Sequence, residues 1–186
     1  LDVSGCPAIT SAALRGLHAP GVALRSLRAA NLPALAGDLA LLLPHAHPLE
    51  ELDLGGCARL SSLLVNAPRL RDLKVRGCRL ERLLAGDCPS LSAFTGGLAP
   101  PAANPAGAGA RPGTPPPFFA PLLREAELRG CASLGDAAAR ALLLSDGLGR
   151  APRLERLDLA SAALLTALEL PCELAPRLER LDVSGC

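Results

Sequence analysis

The hexapeptide LDVSGC stands at residues 1–6 and again at residues 181–186 of this 186-residue chain. Related phrases lie between the two copies: LDLGGC from 52, LKVRGC from 73, AELRGC from 126 and LDLASA from 157. In the full units a leucine precedes the first leucine of the phrase by three residues, which gives the template L-x-x-L-x-L-x-x-C. These leading leucines are Leu24, Leu49, Leu70, Leu91, Leu123, Leu154 and Leu178. The recurrence predicts an array of similar structural units.

The two leucines of L-x-L point to one face of a short strand, and the residue between them points to the other face. One unit cannot bury its leucines alone, so each unit must stack on its neighbours. The template is that of a leucine-rich repeat with Cys in place of Asn. With degenerate copies at 27 and 94, it predicts an α/β solenoid, a right-handed superhelix of about eight repeats. A parallel sheet is expected on the concave side, with short helices and extended segments on the convex side.

The seven cysteines contain no CxxC pair, and most of them close the repeated phrase. We therefore expect buried free thiols that donate weakly to carbonyl groups, each preceded by a glycine that lets the backbone turn tightly. Free thiols fit a reducing compartment, the cytoplasm or the nucleus.

The connections between strands divide into two kinds. We expect helices from Thr10 to Leu17, from Pro33 to Leu43 and from Asp136 to Leu144, because each begins at a capping residue or proline. Leucines 10 or 11 residues apart leave no room for a helix elsewhere, which predicts extended segments at 63–65, 83–85 and 168–170 on the convex side.

The tract PPAANPAGAGARPGTPPP (100–117) interrupts the array. It predicts repeats over 1–98, a flexible Pro/Gly/Ala-rich insertion over 99–121, and the same solenoid continuing over 122–186. The insertion is either an inert surface excursion or a proline-rich docking peptide. Because the chain begins and ends partway through a repeat, we expect a fragment of a longer array.

The phrase LDVSGCPAITSAALRGL (1–17) and the element CPSL (88–91) resemble the cysteine-containing leucine-rich repeats of F-box proteins. The resemblance implies the substrate-recognition part of a cullin-RING (SCF) ubiquitin ligase. In such proteins the F-box binds the cullin adaptor and the repeats hold the protein to be ubiquitylated. No F-box is recognisable here, so adaptor binding would need a segment outside this sequence. The alternative is a repeat scaffold or regulator in cytosolic signalling without a ligase link.

Other functions find little support in the sequence. A formal net charge of +1 is atypical of nucleic-acid or membrane-surface binding, so we expect neither partner. His18, His45 and His47 form no common zinc spacing, and His45 and His47 are expected in an exposed loop. With no nucleophile beside a base, no enzyme, metal or cofactor is expected. A regulator resembling GTPase-activating repeat proteins would need a catalytic arginine on the rim, and none stands out.

What remains is a surface, the outward positions of the strands on the concave face. We expect these positions to bind a protein partner, with a basic and polar centre between acidic ends. Their lack of Tyr and Trp, the usual hot-spot residues, leaves open whether the tight contacts lie in further repeats or the row is only solvated. The candidate residues are Asp2, Arg28, Asp53, Lys74, Arg76, Thr95, Glu127, Arg129, Asp158 and Asp182.

Overall fold

The computed structural model describes residues 1–18, 23–44, 47–97, 122–143, 153–168 and 177–186. Over these ranges the chain winds into a parallel β-solenoid of about 4 turns, with a repeat of ~24 residues and very little helix. Each regular turn places one strand in each of two sheets. We call the passage from one sheet to the other a half-turn. The insertion predicted at 99–121 lies outside the described residues.

The described residues form ten strands, numbered along the chain. They are β1 (Ser26–Arg28), β2 (Ala36–Leu42), β3 (Glu51–Asp53), β4 (Arg59–Asn66), β5 (Asp72–Arg76), β6 (Arg82–Leu84), β7 (Ala93–Gly97), β8 (Glu125–Glu127), β9 (Arg156–Asp158) and β10 (Arg180–Asp182). The first sheet has the order β1-β3-β5-β7, and the second sheet has the order β2-β4-β6-β8-β9-β10. Every strand pairing is parallel, as stacked turns of one winding direction require.

The core lies between the two sheets and is built mainly of leucine, with alanine, cysteine and valine between the leucines. In the first sheet Leu27 pairs with Leu52 and Leu52 with Leu73; in the second Leu39 pairs with Leu63 and Leu63 with Leu83. All are at most 1% exposed and belong to one continuous cluster. Full burial of a leucine stabilises a fold by about 1.5–3 kcal/mol, so these two stacked columns are the main source of stability.

Glycines make the corners that lead out of the strands, as expected. Gly5, Gly56, Gly77, Gly130 and Gly185 all have φ between 73° and 79°. This left-handed region strains residues that carry a Cβ. At Gly77 the constraint is also steric, because an added Cβ would lie 3.3 Å from the Cα of Gly56 in the rung below.

Two α-helices occupy places where a strand would otherwise continue a sheet. α1 (Ser11–Arg15), followed by a 3-10 turn at Gly16–His18, lies against β2 at the edge of the second sheet. α2 (Asp136–Leu143) lies next to β7 at the edge of the first sheet. Both helices were expected, but neither expected cap is formed. Thr10 makes no side-chain capping bond to α1, and Asp136 is the first residue of α2, where its carboxylate accepts hydrogen bonds from Thr166 and Ala167.

The helix expected from Pro33 to Leu43 is wrong, because β2 fills that stretch. Leu39, Leu41 and Leu43 are buried while Leu42 is half exposed, an alternation of period two that belongs to a strand. The extended segments at 63–65 and 83–85 fall in or beside β4 and β6. Of 168–170 only Leu168 is described, and it is not in a strand.

The expectation of a single sheet carrying all the repeated phrases is also wrong. The phrases containing Leu52 and Leu73 form β3 and β5 in the first sheet, but Ala126 pairs with Leu83 in the second. Leu157 and Leu181 follow Ala126 in that sheet. β8 therefore lies in the sheet opposite β7, a half-turn further along the winding. The chain makes about 4 turns, and not the expected eight repeats.

Disulfide trapping tests this change of sheet. Leu84 and Glu127 are register partners on β6 and β8. Adjacent parallel strands place their Cα atoms about 4.8 Å apart, within the range that a disulfide spans. We expect the L84C/E127C variant to form an intramolecular disulfide under mild oxidation, measured by mass spectrometry of peptides. The matched variant T95C/E127C represents the single-sheet arrangement. A disulfide in the second variant and none in the first would contradict the topology.

Candidate interaction surface

The two sheets divide the candidate residues into two groups. Asp2, Arg28, Asp53, Lys74 and Thr95 follow one another along the first sheet, where Asp2 joins β1 through an isolated bridge to Arg28. Glu127, Asp158 and Asp182 follow one another along the second sheet. Arg76 ends β5, and Arg129 lies in the turn after β8. The expectation that all ten line a single face is therefore wrong, because the sheet changes between Thr95 and Glu127.

On the first sheet the outward row alternates in charge. Asp2, Arg28, Asp53 and Lys74 succeed one another in register, so each charge has an opposite charge on the next rung. Lys74 also lies 3.3 Å from Asp72 of its own strand, with 40% of the lysine side chain exposed. Opposite charges directly across neighbouring strands favour the correct register. This row is ordered, charged and open to solvent.

The aspartates of the repeated phrase cap turns. In Asp2, Asp53, Asp158 and Asp182 the Oδ1 atom accepts a hydrogen bond of 2.9 Å from the backbone N–H two residues later. Such a bond fixes the tight turn that carries the chain out of the strand. The bonds from Ser4 and Ser184 hold the pKa of Asp2 and of Asp182 below the usual value. Sequence reasoning missed this capping role, for which the signal is the small residue two positions after each aspartate.

The thiols form a second set of structural contacts, as expected. Cys57 Sγ donates to the Ala29 carbonyl at 3.3 Å, Cys78 to Leu54 at 3.1 Å and Cys131 to Ala85 at 3.0 Å. Each bond joins a corner to the neighbouring rung. Burial raises the pKa of Cys78 and of Cys131 to about 12. A thiol protonated at neutral pH is a poor nucleophile and a poor metal ligand, so these groups serve the fold.

The structure describes two of the three histidines, His18 and His47. His47 is 6% exposed, and its Nδ1 accepts a hydrogen bond of 3.2 Å from the backbone N–H of Leu49. The expected exposed loop position of His47 is therefore wrong, because the ring folds back beneath the start of the following segment. His18 ends the 3-10 turn, and His45 lies outside the described residues.

Neither a metal site nor a membrane span emerges from the part of the chain that the structure describes. There, no group of three or more His, Cys, Asp or Glu side chains is placed to hold a metal ion. Neither described helix is long and apolar enough to cross a membrane.

Among the described residues, the second sheet carries the shortest ion pair, in a network at positions outside the candidate set. The Glu125 carboxylate is 2.7 Å from Arg82 Nε on β6 and 3.4 Å from Arg156 Nη1 on β9. The hydrogen bond from Arg82 is the main reason that the pKa of Glu125 lies below its usual value. A pocket of about 370 Å³ opens beside this network, lined by Arg124, Arg153, Glu155, Arg177 and Glu179. The sequence signal for the network was the reversal of charge order from Glu81-Arg82 to Arg124-Glu125.

The capping role of the aspartates predicts a difference between two neighbours on the first sheet. Asp53→Ala removes the acceptor for the Gly55 N–H and should lower the free energy of unfolding by about 1 kcal/mol. Asp53→Asn retains an acceptor oxygen and should recover most of that loss. Lys74→Ala, which caps no turn, is the matched control and should change stability little. Denaturant unfolding checks the series; an equal effect of D53A and K74A would contradict the capping role.

The raised thiol pKa values predict a loss of stability in alkali. The pKa of Cys78 and of Cys131 is raised from 9.0 to about 12, so the contribution of these protonated thiols to the stability of the folded state is complete below pH 9. This contribution disappears as the pH rises from about 9 to 12, because the unfolded thiols then ionise and the folded ones do not. We expect the melting temperature to fall over this window in the wild type. The fall should be smaller in a C78A/C131A variant compared with its own value at pH 8. Identical pH profiles would show that the thiols are not buried as described.

Comparison with known proteins identifies no relative of this chain. No protein-family model matches the chain. No curated protein and no solved structure matches it either.

Proposed function

We propose that this solenoid is a protein-binding module and that the outward row of the first sheet is its contact surface. The observation that carries the proposal is that different sets of side chains have different structural roles. Leucines fill the core, thiols and aspartates hold the corners, and the long basic side chains of Arg28 and Lys74 extend from the sheet without a place in the core. A rigid sheet bearing ordered charges is suited to orienting a charged partner.

The finer form of the proposal is a leucine-rich-repeat receptor of the F-box type, which would present substrates to a cullin-RING ubiquitin ligase. It is supported by the repeat phrase itself, with Cys closing the strand and Ile9-Thr10 leading into α1. The two helices and the buried thiols are compatible with such repeats. The alternative is a scaffold in cytosolic signalling, which would use the same row without an adaptor.

Affinity purification of the full-length protein that contains this chain tests both levels. We expect the R28Q/K74Q variant to lose one or more proteins that the wild type captures, measured by quantitative mass spectrometry, because two of the exposed cations of the row are gone. R59Q is the matched control: Arg59 is an exposed arginine on β4 of the second sheet. Circular dichroism establishes that all three proteins fold alike.

The outcomes separate the proposals. A cullin adaptor captured equally by the wild type and both variants, with other partners lost only from R28Q/K74Q, supports the ligase receptor. Partners lost from R28Q/K74Q with no adaptor in any sample leave the scaffold. Identical partners for R28Q/K74Q and R59Q overturn the proposed surface.

A further inference from the structure

The outer face of the second sheet carries two opposite charges side by side on each of four successive rungs. In each pair one residue is the first residue of the strand and the other directly precedes it; we call the two the central pair. The central pairs are Glu81-Arg82, Arg124-Glu125, Glu155-Arg156 and Glu179-Arg180. None of these eight residues is buried, so the face is lined by charges.

From β6 to β9 the order of the charges reverses at each rung, and opposite charges on neighbouring strands pair within the chain. Arg82 and Arg156 both reach Glu125, and Arg124 Nη1 lies 3.9 Å from Glu155. In-register pairing of opposite charges across strands is favourable. These contacts account for the reversed order in β8.

From β9 to β10 the order does not reverse. Arg156 is the register partner of Arg180, and the Glu179 N–H donates to the Glu155 carbonyl, so Glu179 stands beside Glu155. Like charges directly opposite one another are unfavourable in a sheet. Yet both rungs carry the same six residues, RLERLD, at 153–158 and 177–182. The repetition therefore sets like charges side by side on these two rungs.

The charge pattern of this hexapeptide has a further property. When the order of its charged residues is reversed, each position takes the opposite sign. Its outward residues, Arg153, Glu155, Arg156 and Asp158, read plus, minus, plus, minus, and the reversed order reads minus, plus, minus, plus. A two-fold axis parallel to the stacking direction reverses the strands and keeps the order of the rungs. Each rung would then meet the same rung of a second copy, with every charge facing its opposite.

We propose that the outer face of β6, β8, β9 and β10 binds the same face of a second copy of this chain in a two-fold symmetric dimer. Across the interface Glu179 faces Arg180 of the second copy, and Arg177 faces Asp182. On β6 and β8 the same rotation places the acid of each central pair opposite the base of that pair in the second copy. A closed, isologous contact of this kind uses one patch on both subunits and does not propagate into filaments.

The dimensions predict a weak dimer that depends on salt. Four rungs about 4.8 Å apart, with six residues of about 3.3 Å each, give a face of roughly 400 Å² per copy. Roughly 800 Å² in total is less than the roughly 1,200–2,000 Å² that stable specific interfaces bury, so the association is weak and transient. Exposed ion pairs contribute little each and are screened by salt, so orientation comes from the pattern of many charges together. This surface is separate from the row on the first sheet, and the inference does not depend on the proposed function.

Charge complementarity favours a second copy over a polyanion. Because each central pair contains one acid and one base, their charges cancel and give a nucleic acid or an acidic peptide no net attraction. In the proposed dimer, each charge of a central pair faces an opposite charge of the second copy.

The test uses two single variants on β10, E179R and R180E, each measured alone and after mixing. Alone, each variant places like charges against like at this rung of the dimer. Mixed, the two arginines of E179R face the two glutamates of R180E, so heterodimers should form. Sedimentation velocity at low salt, about 0.05 M, should show self-association of the wild type weakened about tenfold in either variant and restored in the mixture.

The controls make every result decisive. R59E changes the charge of an exposed β4 residue outside the face and should associate like the wild type. Thermal melts establish that the variants fold. A monomeric wild type at low salt, association unchanged in E179R and R180E, or a mixture no tighter than its components would each overturn the proposal. Partner capture by the first sheet is measured separately with R28Q/K74Q, so the failure of one proposal leaves the other standing.

Discussion

Every part of this molecule depends on one constraint: a half-turn too small to fold alone must turn sharply and stack on the rung beside it. The leucine columns provide the favourable burial, but they stack only if each corner has the same shape. A positive φ at the corner glycine and a thiol bonded to the neighbouring carbonyl fix that shape at Cys57, Cys78 and Cys131. The corner sets the spacing of the rungs, and the spacing brings the outward side chains into register.

Register then determines what the surface can do. On the first sheet the alternation of acid and base lies in the residue between the two leucines, and its acidic members are held in turns by their own backbone. On the second sheet the charges lie at the start of each strand, away from the corners, and are free to pair with each other or with another surface. On the first sheet the capping aspartates serve the fold while Arg28 and Lys74 remain available for binding, and on the second sheet the charges at the start of the strands are available as well.

Much of the local structure could be predicted from the sequence. Periodicity located nine of the ten described strands. The cysteine slot predicted a buried thiol bonded to a carbonyl, and the glycine before it predicted a tight turn. These features depend on a few adjacent residues, and the pattern of those residues reports them directly. The helix expected over Pro33–Leu43 failed because a proline start outweighed the alternation of Leu39, Leu41 and Leu43, which is the stronger signal for a strand.

The arrangement of the sheets could not be predicted in the same way. Strands of both sheets use the same L-x-L pattern, as Leu52-Asp53-Leu54 and Leu157-Asp158-Leu159 show, so the pattern does not report which sheet a strand joins. Sheet membership depends on how far the chain has wound, which a pattern of three adjacent residues does not contain. For this reason the candidate residues were expected on one face, whereas Glu127, Asp158 and Asp182 lie on a different sheet from Asp53 and Lys74.

The equivalence of the two sheets has an evolutionary consequence. A gain or loss of one half-turn unit, about 10 or 11 residues, would leave the leucine columns intact while moving every later strand to the opposite sheet. Such an event would exchange the exposed residues of the two faces downstream of the site without any substitution. Related chains could then keep the same core and differ abruptly in what they recognise, with the boundary marked by a change in length and not by a change in composition.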